Sequence, residues 1–502
     1  MNAAHRLALV AIICVVYAAL AGAQPYTTPG TGVDWTMDDL AAAAGFTVQG
    51  AGGAYAIHDL VTIAVNDRLT IAPGTTLTFA AGAAVGLDVN GALEARGTAA
   101  QPIVFQGADP TPGSWRGLDH GDTGPGSAFV LEHCEVAHAV DAVDAFGADI
   151  ELRNCDLHDT LGKVIDISAA DGLVSGCHLH DNRQRTITLT LTSSPTIEDC
   201  VFERNNLDNS SPYPYINIGL QGTNSPTIRG NEIHGDGNFM SGGIALWNLS
   251  NALIEDNLIE GCGYGILCYQ TGANPVILGN EIRDNTIHPD TLNWGFGVAC
   301  NGNNSPILMG NRISGHWYGV AAINGGRPNL GDLVNDFPGD DGGNAIEQNG
   351  LGGQVYGFYN NTPLAQIAQG NWWGTDNPED AIYHQVDDPS LGLVDYDFFV
   401  TAVDAPAPSA SLLGGLSAYP NPFNPRVEIA FDLARGSLAS LIVLDVRGRL
   451  VRELLAADLA PGHHVIAWDG ADRQGRPVPS GTYFARIVAG HEATTGRLTL
   501  VR

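Results

Sequence analysis

The sequence predicts an all-β chain: a parallel β-helix solenoid followed by a small β-sandwich. Three observations carry this reading. One cassette recurs between residues 193 and 313 with its order of residues unchanged. Apolar, mostly β-branched residues alternate with polar ones inside each copy. The texture of the chain then changes beyond residue 415.

The cassette reads Ser194-Pro195-Thr196-Ile197-Glu198-Asp199-Cys200-Val201-Phe202, and returns as Ser225-Pro226-Thr227-Ile228-Arg229-Gly230-Asn231-Glu232-Ile233. Further copies carry Asp256-Asn257, Gly279-Asn280 and Gly310-Asn311. The anchor (Cys200, Asn231, Asn257, Asn280, Asn311) steps by 31, 26, 23 and 31 positions, and weaker copies at Cys134, Cys155 and Cys177 precede it. A period of roughly 20–30 residues means a solenoid. Strand-like alternation, with Asp-Asn and Gly-Asn pairs that tolerate a left-handed bend, makes each unit a coil of short strands. No segment keeps a 3.6 period, and the consensus and helical half of a leucine-rich horseshoe are missing. Coils stacked about 4.8 Å apart put like positions in columns, so the anchors form one inner row.

Taken in order, residues 1–23 read as a secretory signal: His5-Arg6, an apolar run from Leu7 to Leu20, then Ala21-Gly22-Ala23. The run is short for a membrane span and no charged stop follows. Residues 24–54 are an N-terminal segment in which Trp35-Thr36-Met37-Asp38-Asp39-Leu40 opens a short helix, a cap for the solenoid's open end. The β-helix is expected over 55–403, with Gly342-Gly343-Asn344-Ala345-Ile346 as a further coil. Asn371-Trp372-Trp373-Gly374 begins an aromatic stretch that seals its far end. Residues 404–415, rich in Ala, Pro and Ser, are a linker, and 416–502 carry the recurring short strands of a sandwich.

Two resemblances follow. The cassettes resemble the secreted right-handed parallel β-helix repeat proteins, a scaffold that carries lyases, hydrolases, epimerases, adhesins and inert spacers alike. Beyond the linker stand Tyr419-Pro420-Asn421-Pro422-Phe423-Asn424-Pro425, Leu444-Asp445-Val446-Arg447-Gly448-Arg449, Trp468-Asp469-Gly470 and Pro479-Ser480-Gly481-Thr482-Tyr483. Together they resemble the Ig-like C-terminal sorting domain of type IX secretion cargo, itself similar to the Ig-like domain of the flagellar hook-capping protein. The resemblance implies passage across the outer membrane and engagement of the secretion machinery, with Tyr419, Pro420, Asn421, Pro422, Phe423, Asn424 and Pro425 as the sorting motif. The bland alternative is a fibronectin-like spacer.

Charge narrows the partners. The formal net charge is −31, and Lys163 is the only lysine. Neither nucleic acid nor an anionic membrane surface suits such a chain, and acidic polysaccharides are repelled unless a cation bridges them. After loss of Cys14 with the signal, seven cysteines remain. Their spacing is that of the repeat rather than CxxC, so they read as buried structural residues, although neighbours in one column lie within disulfide reach.

The expected site is a lateral groove. Insertions at 203–215 and 283–294 leave the same corner three coil rises apart, roughly 14 Å. Tyr213, Tyr215, Phe239, Tyr264, His288, Asp290 and Trp294 fall on or between them and Trp317 follows one coil later, aromatic faces and polar groups of the kind that hold sugar rings. The alternative is a set of ordinary variable loops. Asp236 and Glu260, on adjacent coils, are the candidate catalytic carboxylates of a glycoside hydrolase, although no signature of a pectin hydrolase or alginate epimerase accompanies them. The column His158, His180, Glu203, His234, Glu260, Arg283 offers metal donors but reads as a mixed polar flank. Glu198, Arg229 and Glu255 alternate in sign and read as cross-strand pairs. Asp332, Asp336, Asp340 and Asp341, interleaved with glycine, would suit calcium, or simply make soluble turns. The expectation is therefore an exported, surface or secreted protein that binds a polysaccharide or envelope glycan without turning it over. The alternative is a lyase or hydrolase acting in the groove.

Overall fold

The structure is a computed structural model that describes residues 23–121, 128–219, 221–335, 337–401, 413, 416–433, 437–445, 450–489 and 492–501. The expected signal run, the linker apart from Leu413, and Asp336 lie outside the described residues. The chain divides into two compact units, Met1–Ala405 and Pro406–Arg502.

The first unit is a β-helix of three parallel sheets with 14, 13 and 11 strands, here the first, second and third sheets. One coil runs Thr196–Glu198 in the third sheet, Val201–Glu203 in the second and Tyr213–Ile218 in the first. The next coil, from Thr227–Arg229, pairs with it in parallel register. The middle residue of each short strand points inward. Ile197, Ile228, Ile254, Ile277 and Leu308 form one fully buried row, and Phe202, Ile233, Ile259, Ile282 and Ile313 form another. Strands also reach back to Tyr26–Thr27, Asp34–Trp35 and Val48–Ala51, one in each sheet. Tyr26–Thr27 and Asp34–Trp35 are too short to show periodicity, and Val48–Ala51 joins as the antiparallel arm of a hairpin with Ala54–Ile57, so the sequence assigns this stretch to the cap alone.

The corner between third and second sheets carries the anchor row. The residue before each anchor is left-handed, from His133 through Asp199 and Gly230 to Gly370. From Asn231 onward each side-chain amide donates to the next: Asn231 to Asn257, Asn257 to Asn280 and Asn280 to Asn311 at 2.9 Å, continuing through Asn344 to Asn371. Each also donates to a carbonyl of the preceding coil, as Asn257 does to Ile228 at 2.9 Å. Backbone donors at a corner, which no strand pairs, are thereby satisfied inside the core. A second row stands at the next corner, where Asn182, Asn205, Asn285 and Asn349 alternate with other residues. His316 belongs to it: its Nδ1–H donates to Asn349 Oδ1 at 3.1 Å and its Nε2 accepts from Asn285 at 3.1 Å. Burial lowers its pKa to about 4, so the ring is neutral.

All seven cysteines of the described residues are buried free thiols, and the four in the anchor row stand where asparagine stands later. The helix Met37–Ala43, capped by Thr36 and Asp39, lays Met37 and Leu40 over Val61, Leu69, Leu77 and Leu87 at the open end. Asp67 holds the strand leading into it, accepting from the amides of Gly30, Gly32 and Val33 at 2.9–3.0 Å. Burial raises the Asp67 pKa, but these donors overcome it and hold it at about 2. At the other end Trp373 is buried, and Asn371 closes the amide row on the carbonyls of Leu330, Ala368 and Gln369.

The second unit is an antiparallel sandwich. Ser417–Tyr419, Val427–Leu433 and Gly462–Trp468 form one sheet. Ser437–Asp445, Leu450–Leu459, Gly481–Ala489 and Glu492–Leu500 form the other. Phe423 and Trp468 are buried between them, with ring centroids 5.4 Å apart.

Replacing Asn257 by Ala strands the Asn231 amide and the Ile228 carbonyl, and should lower the free energy of unfolding by roughly 2–5 kcal/mol. Asn257→Asp should also destabilise, because a carboxylate cannot donate to Ile228. Urea midpoints of both variants, measured at neutral pH, check this; an unchanged midpoint removes the amide row's structural role.

Candidate functional site

In a first-sheet strand the residue between two inward apolar side chains points outward. Ile165 and Ile167 are fully buried, so Asp166 projects from the outer face, although its neighbours leave it 6% exposed. The same triplet recurs as Leu87-Asp88-Val89, Leu118-Asp119-His120 and Val143-Asp144-Ala145. Register pairs Asp88 with Asp119, Asp119 with Asp144, and Asp144 with Asp166. Four carboxylates thus stand in one row, one coil apart.

Two cations serve the four. Arg116 pairs with Asp88 at 3.1 Å and with Asp119, and Lys163 pairs with Asp166 while its backbone amide donates to Asp141 at 2.6 Å. Asp144 has neither cation within ion-pair distance, and its pKa rises to about 6 through burial first and the Asp166 charge second. Burial opposes the Lys163 charge, but Asp166, Asp144 and Asp141 overcome it and raise its pKa, so the amine is a fixed ammonium rather than a base. Below about pH 6 a protonated Asp144 stands beside the Lys163-paired Asp166, the kind of paired carboxyls that acid–base chemistry at a sugar uses.

Along the same row the chemistry changes coil by coil. Asp166 is followed by Thr188, Asn217, Ala245, Leu267, Ala299, Ala321, Tyr359 and Tyr383. Rings gather beside the far end: Phe296–Tyr318 at 5.3 Å, Tyr318–Tyr359 at 4.9 Å and Tyr359–Tyr383 at 5.4 Å, with Tyr356 against the last three. Trp247 lies on the opposite flank, its indole donating to Asn217 at 2.9 Å and its ring 4.8 Å from Tyr269. Tyr359, Tyr383, Tyr356, Trp247 and Tyr269 are all half-buried, held by neighbours with one side open.

The groove residues read from the sequence are placed differently from one another. Tyr264, Trp294 and Trp317 form a staircase, each seated on a glycine of the preceding coil: Gly242, Gly263 and Gly295. A Cβ at any of these glycines would approach the ring to 2.1–2.6 Å. His288 lies face to face on Trp294 at 4.1 Å, and Phe239 meets the His288 edge at 5.5 Å. These rings therefore cover one another, and Tyr264 is buried beneath Trp294. Tyr215 is inside the coil, 1% exposed, with its hydroxyl donating to the His234 carbonyl. Tyr213 lies under the Arg185 guanidinium at 4.8 Å, and Asp290 accepts from Leu292 N and Asn293 Nδ2 within its own loop.

Glu260 is committed to Arg283 at 2.6 Å and to His234 at 2.9 Å. Burial raises its pKa, and these two partners more than reverse the effect, so it stays ionised below the usual range. Asp236 is exposed in the loop two residues past His234 and accepts from Asn238 at 3.1 Å. Of the aspartates proposed for calcium, Asp340 accepts from Asn329 at 2.7 Å and from Asn335, Asp332 accepts from Val334 N, and Asp341 is exposed. Glu198 and Arg229 do pair, at 2.6 Å. In the second unit the motif from Tyr419 to Pro425 is stitched to the last strand: Asn421 donates to the Arg497 carbonyl at 2.7 Å and accepts from Thr499 N at 2.8 Å. Phe423 N donates to Thr499 O and Val501 N to Phe423 O.

Sequence reasoning passed over the aspartate row and the tyrosines at 356, 359 and 383. The apolar-Asp-apolar triplet at 88, 144 and 166, with His120 in the third place at 119, was the available signal.

Comparison with known proteins agrees with this architecture. The family described as "Right handed beta helix region" matches residues 122–213 and 213–332, and the "FlgD Ig-like domain" family matches 424–492. The fold is thus a right-handed parallel β-helix followed by an Ig-like sandwich. No curated protein matches the chain. Among solved structures, PorZ, a bacterial surface component of the type-IX secretion system of Porphyromonas gingivalis, is similar over 20% of this chain and 14% of its own, at 23% identity and TM-score 0.15. The chain thus spans about a seventh of PorZ. Pectate lyase Pel9A is similar over 70% of this chain and 75% of its own, at 11% identity and TM-score 0.29. Neither likeness bears on activity.

The Asp144 carboxyl titrates near 6 in the fold against about 3.9 when unfolded. Its protonated form favours the fold, so its contribution is full below pH 4 and lost as pH rises through 6. At pH 8 the charge costs about 3 kcal/mol. Asp144→Asn should therefore raise the melting temperature at pH 8 and leave it unchanged at pH 4; equal shifts at both would contradict the assignment.

Proposed function

We propose that this chain is an exported β-helix protein that binds a neutral polysaccharide along the outer face of its first sheet. The observation that carries the reading is the cluster of half-open tyrosines Tyr356, Tyr359 and Tyr383 on a rigid sheet, packed on the buried Tyr318, at one end of a row whose other end is polar and then acidic. Ring faces suit the C–H faces of sugars, and hydroxyls, amides and carboxylates suit sugar hydroxyls. Parallel strands at a fixed rise repeat such contacts along an extended chain. Glycans bearing carboxylates are disfavoured by the aspartate row and by the −34 of residues 24–415 that the composition gives.

A second reading has its own support. Asp144, neutral up to about pH 6, stands one coil from Asp166, which is paired with Lys163. A coil rise of about 4.8 Å is near the roughly 5–5.5 Å spacing of the carboxyls in a retaining glycosidase. In that case the tyrosine row holds the substrate and the aspartate row acts on it.

One experiment separates the two. The chain without residues 1–23 is tested for retention on immobilised neutral and acidic polysaccharides, and for new reducing ends and unsaturated products. Retention without product, weakened several-fold by Tyr359→Ala at about 1 kcal/mol per ring, supports the binder. Product formation abolished by Asp144→Asn or Asp166→Asn supports the enzyme. Neither retention nor product across the panel removes both.

Delivery rests on the chain ends. We assign residues 416–502 the role of sorting domain, with the Tyr419–Pro425 motif acting through the shape it gives the first and last strands. A reporter carrying a signal peptide and residues 416–502 should reach the surface of a type IX-proficient cell and stop in the periplasm when Phe423→Ala is introduced. Equal surface delivery of a reporter lacking 416–502 would contradict the role.

A further inference from the structure

The outer face of the second sheet carries a different chemistry, on the coils from Cys134 to Glu203. His178 and His180 stand two apart on one strand with Leu179 fully buried between them, so both imidazoles project from the same face. Register places Asp156 opposite His178 on the preceding strand. The donor atoms of Asp156, His178 and His180 all lie within 4.8 Å of one another. Asp156 Oδ1 is 2.8 Å from His180 Nε2 and 3.7 Å from His178 Nδ1.

The unused nitrogen of each ring decides what the cluster is suited to. His180 Nδ1 pairs with Asp181 at 2.7 Å, and Asp181 is itself held by Arg204 at 2.8 Å. His178 Nε2 pairs with Glu203 at 3.2 Å. Each imidazole is thus oriented by a carboxylate on one side and presents its other nitrogen to Asp156. This is the arrangement that orients histidine ligands around a metal and raises their basicity. A tetrahedral ion with bonds of about 2.0–2.1 Å separates its donors by about 3.3 Å, close to the two separations observed. The side chains of Asp156 and His178 are 49% and 39% exposed, so an ion has a path in and a fourth position facing solvent.

The other cluster of this kind among the described residues is Glu379, His384 and Asp387. There His384 Nδ1 accepts from the Val394 amide at 2.9 Å and Nε2 pairs with Glu379 at 3.1 Å. Because Nδ1 spends its lone pair on a backbone donor, the proton sits on Nε2 and points at Glu379, which leaves the ring no lone pair for an ion and makes that cluster a strut.

We propose that Asp156, His178 and His180 bind one divalent transition-metal ion on the outer face of the second sheet, through Asp156 Oδ1, His178 Nδ1 and His180 Nε2. Two imidazoles and a carboxylate with an open position suit zinc. The site is independent of the glycan reading, since it lies on another sheet.

The test uses the chain without residues 1–23 and without a histidine tag, stripped by chelator and titrated with Co²⁺, with Zn²⁺ as competitor. Visible absorption of tetrahedral Co²⁺ should saturate at one equivalent and be displaced by Zn²⁺. His178→Gln and Asp156→Asn should each weaken binding at least tenfold, and Asp181→Asn, which removes only the orienting carboxylate, about tenfold. His384→Gln should leave it unchanged. Far-UV circular dichroism and the urea midpoint establish that each variant folds. No saturable binding below millimolar ion overturns the proposal, as does undiminished binding by folded His178→Gln together with folded Asp156→Asn. Loss of binding in folded His384→Gln would transfer the site to the strut and equally overturn it.

Discussion

The solenoid depends on one interaction, the side-chain amide that bonds upward and downward at the corner between third and second sheets. A strand satisfies its backbone through its neighbours, but a corner has no such partner and lies in the core. Asn231 solves this by donating to the Ile197 carbonyl of the coil before and to Asn257 of the coil after. The coils from Asn231 to Asn344 repeat the solution, each amide bonding to the next. The upstream coils use Cys134, Cys155, Cys177 and Cys200, whose thiols bond weakly to nearby carbonyls, such as Cys200 Sγ to Glu198 O at 3.2 Å. The thiols keep the bond to a carbonyl, and the amide-to-amide link begins at Asn231. This is why the four anchor cysteines need no disulfide to account for their placement.

That interaction also explains what could be read from the sequence. A buried corner with a fixed hydrogen-bonding requirement admits few side chains, so the anchor recurs and the fold is legible. The second corner row admits Thr160, Asn182, Asn205, Cys262, Asn285, His316 and Asn349, too varied to register as a repeat. Groove prediction was weaker for a different reason. Insertions mark where chain leaves the scaffold, but not whether its rings face solvent or each other. Trp294 and His288 face each other, and Tyr215, on an insertion by its numbering, has already re-entered the first sheet and turned inward. The aspartate row was legible in principle, because outward positions between two buried residues are fixed by strand alternation alone.

The three outer faces differ in how charge is balanced. On the third sheet anions meet cations across coils: Arg68 with Glu94, Arg96 with Glu132, Arg229 with Glu198. Such exposed pairs add little stability, although they relieve repulsion between neighbouring coils. On the second sheet histidines stand among carboxylates and are themselves held by them. On the first sheet four aspartates meet two cations, and the shortfall falls on Asp144.

An unrelieved charge on a rigid face calls for an explanation, since folding alone does not favour it. A single asparagine at 144 would remove the repulsion without disturbing the strand. The coils beyond Asp166 show that the fold accepts Thr188, Asn217 and Ala245 at the same row position, so nothing in the coil geometry demands a carboxylate there. The same holds for the tyrosines, which occupy positions where Ala299 and Ala321 suffice two coils earlier. Where the scaffold is indifferent and the sequence places groups that repel or that leave ring faces half open, the side chains answer to something outside the fold. On the first sheet that condition is met at the two ends of one strip, at the aspartates from Asp88 to Asp166 and at the tyrosines 359 and 383. The strip, rather than the loops beside it, is therefore where function is best sought.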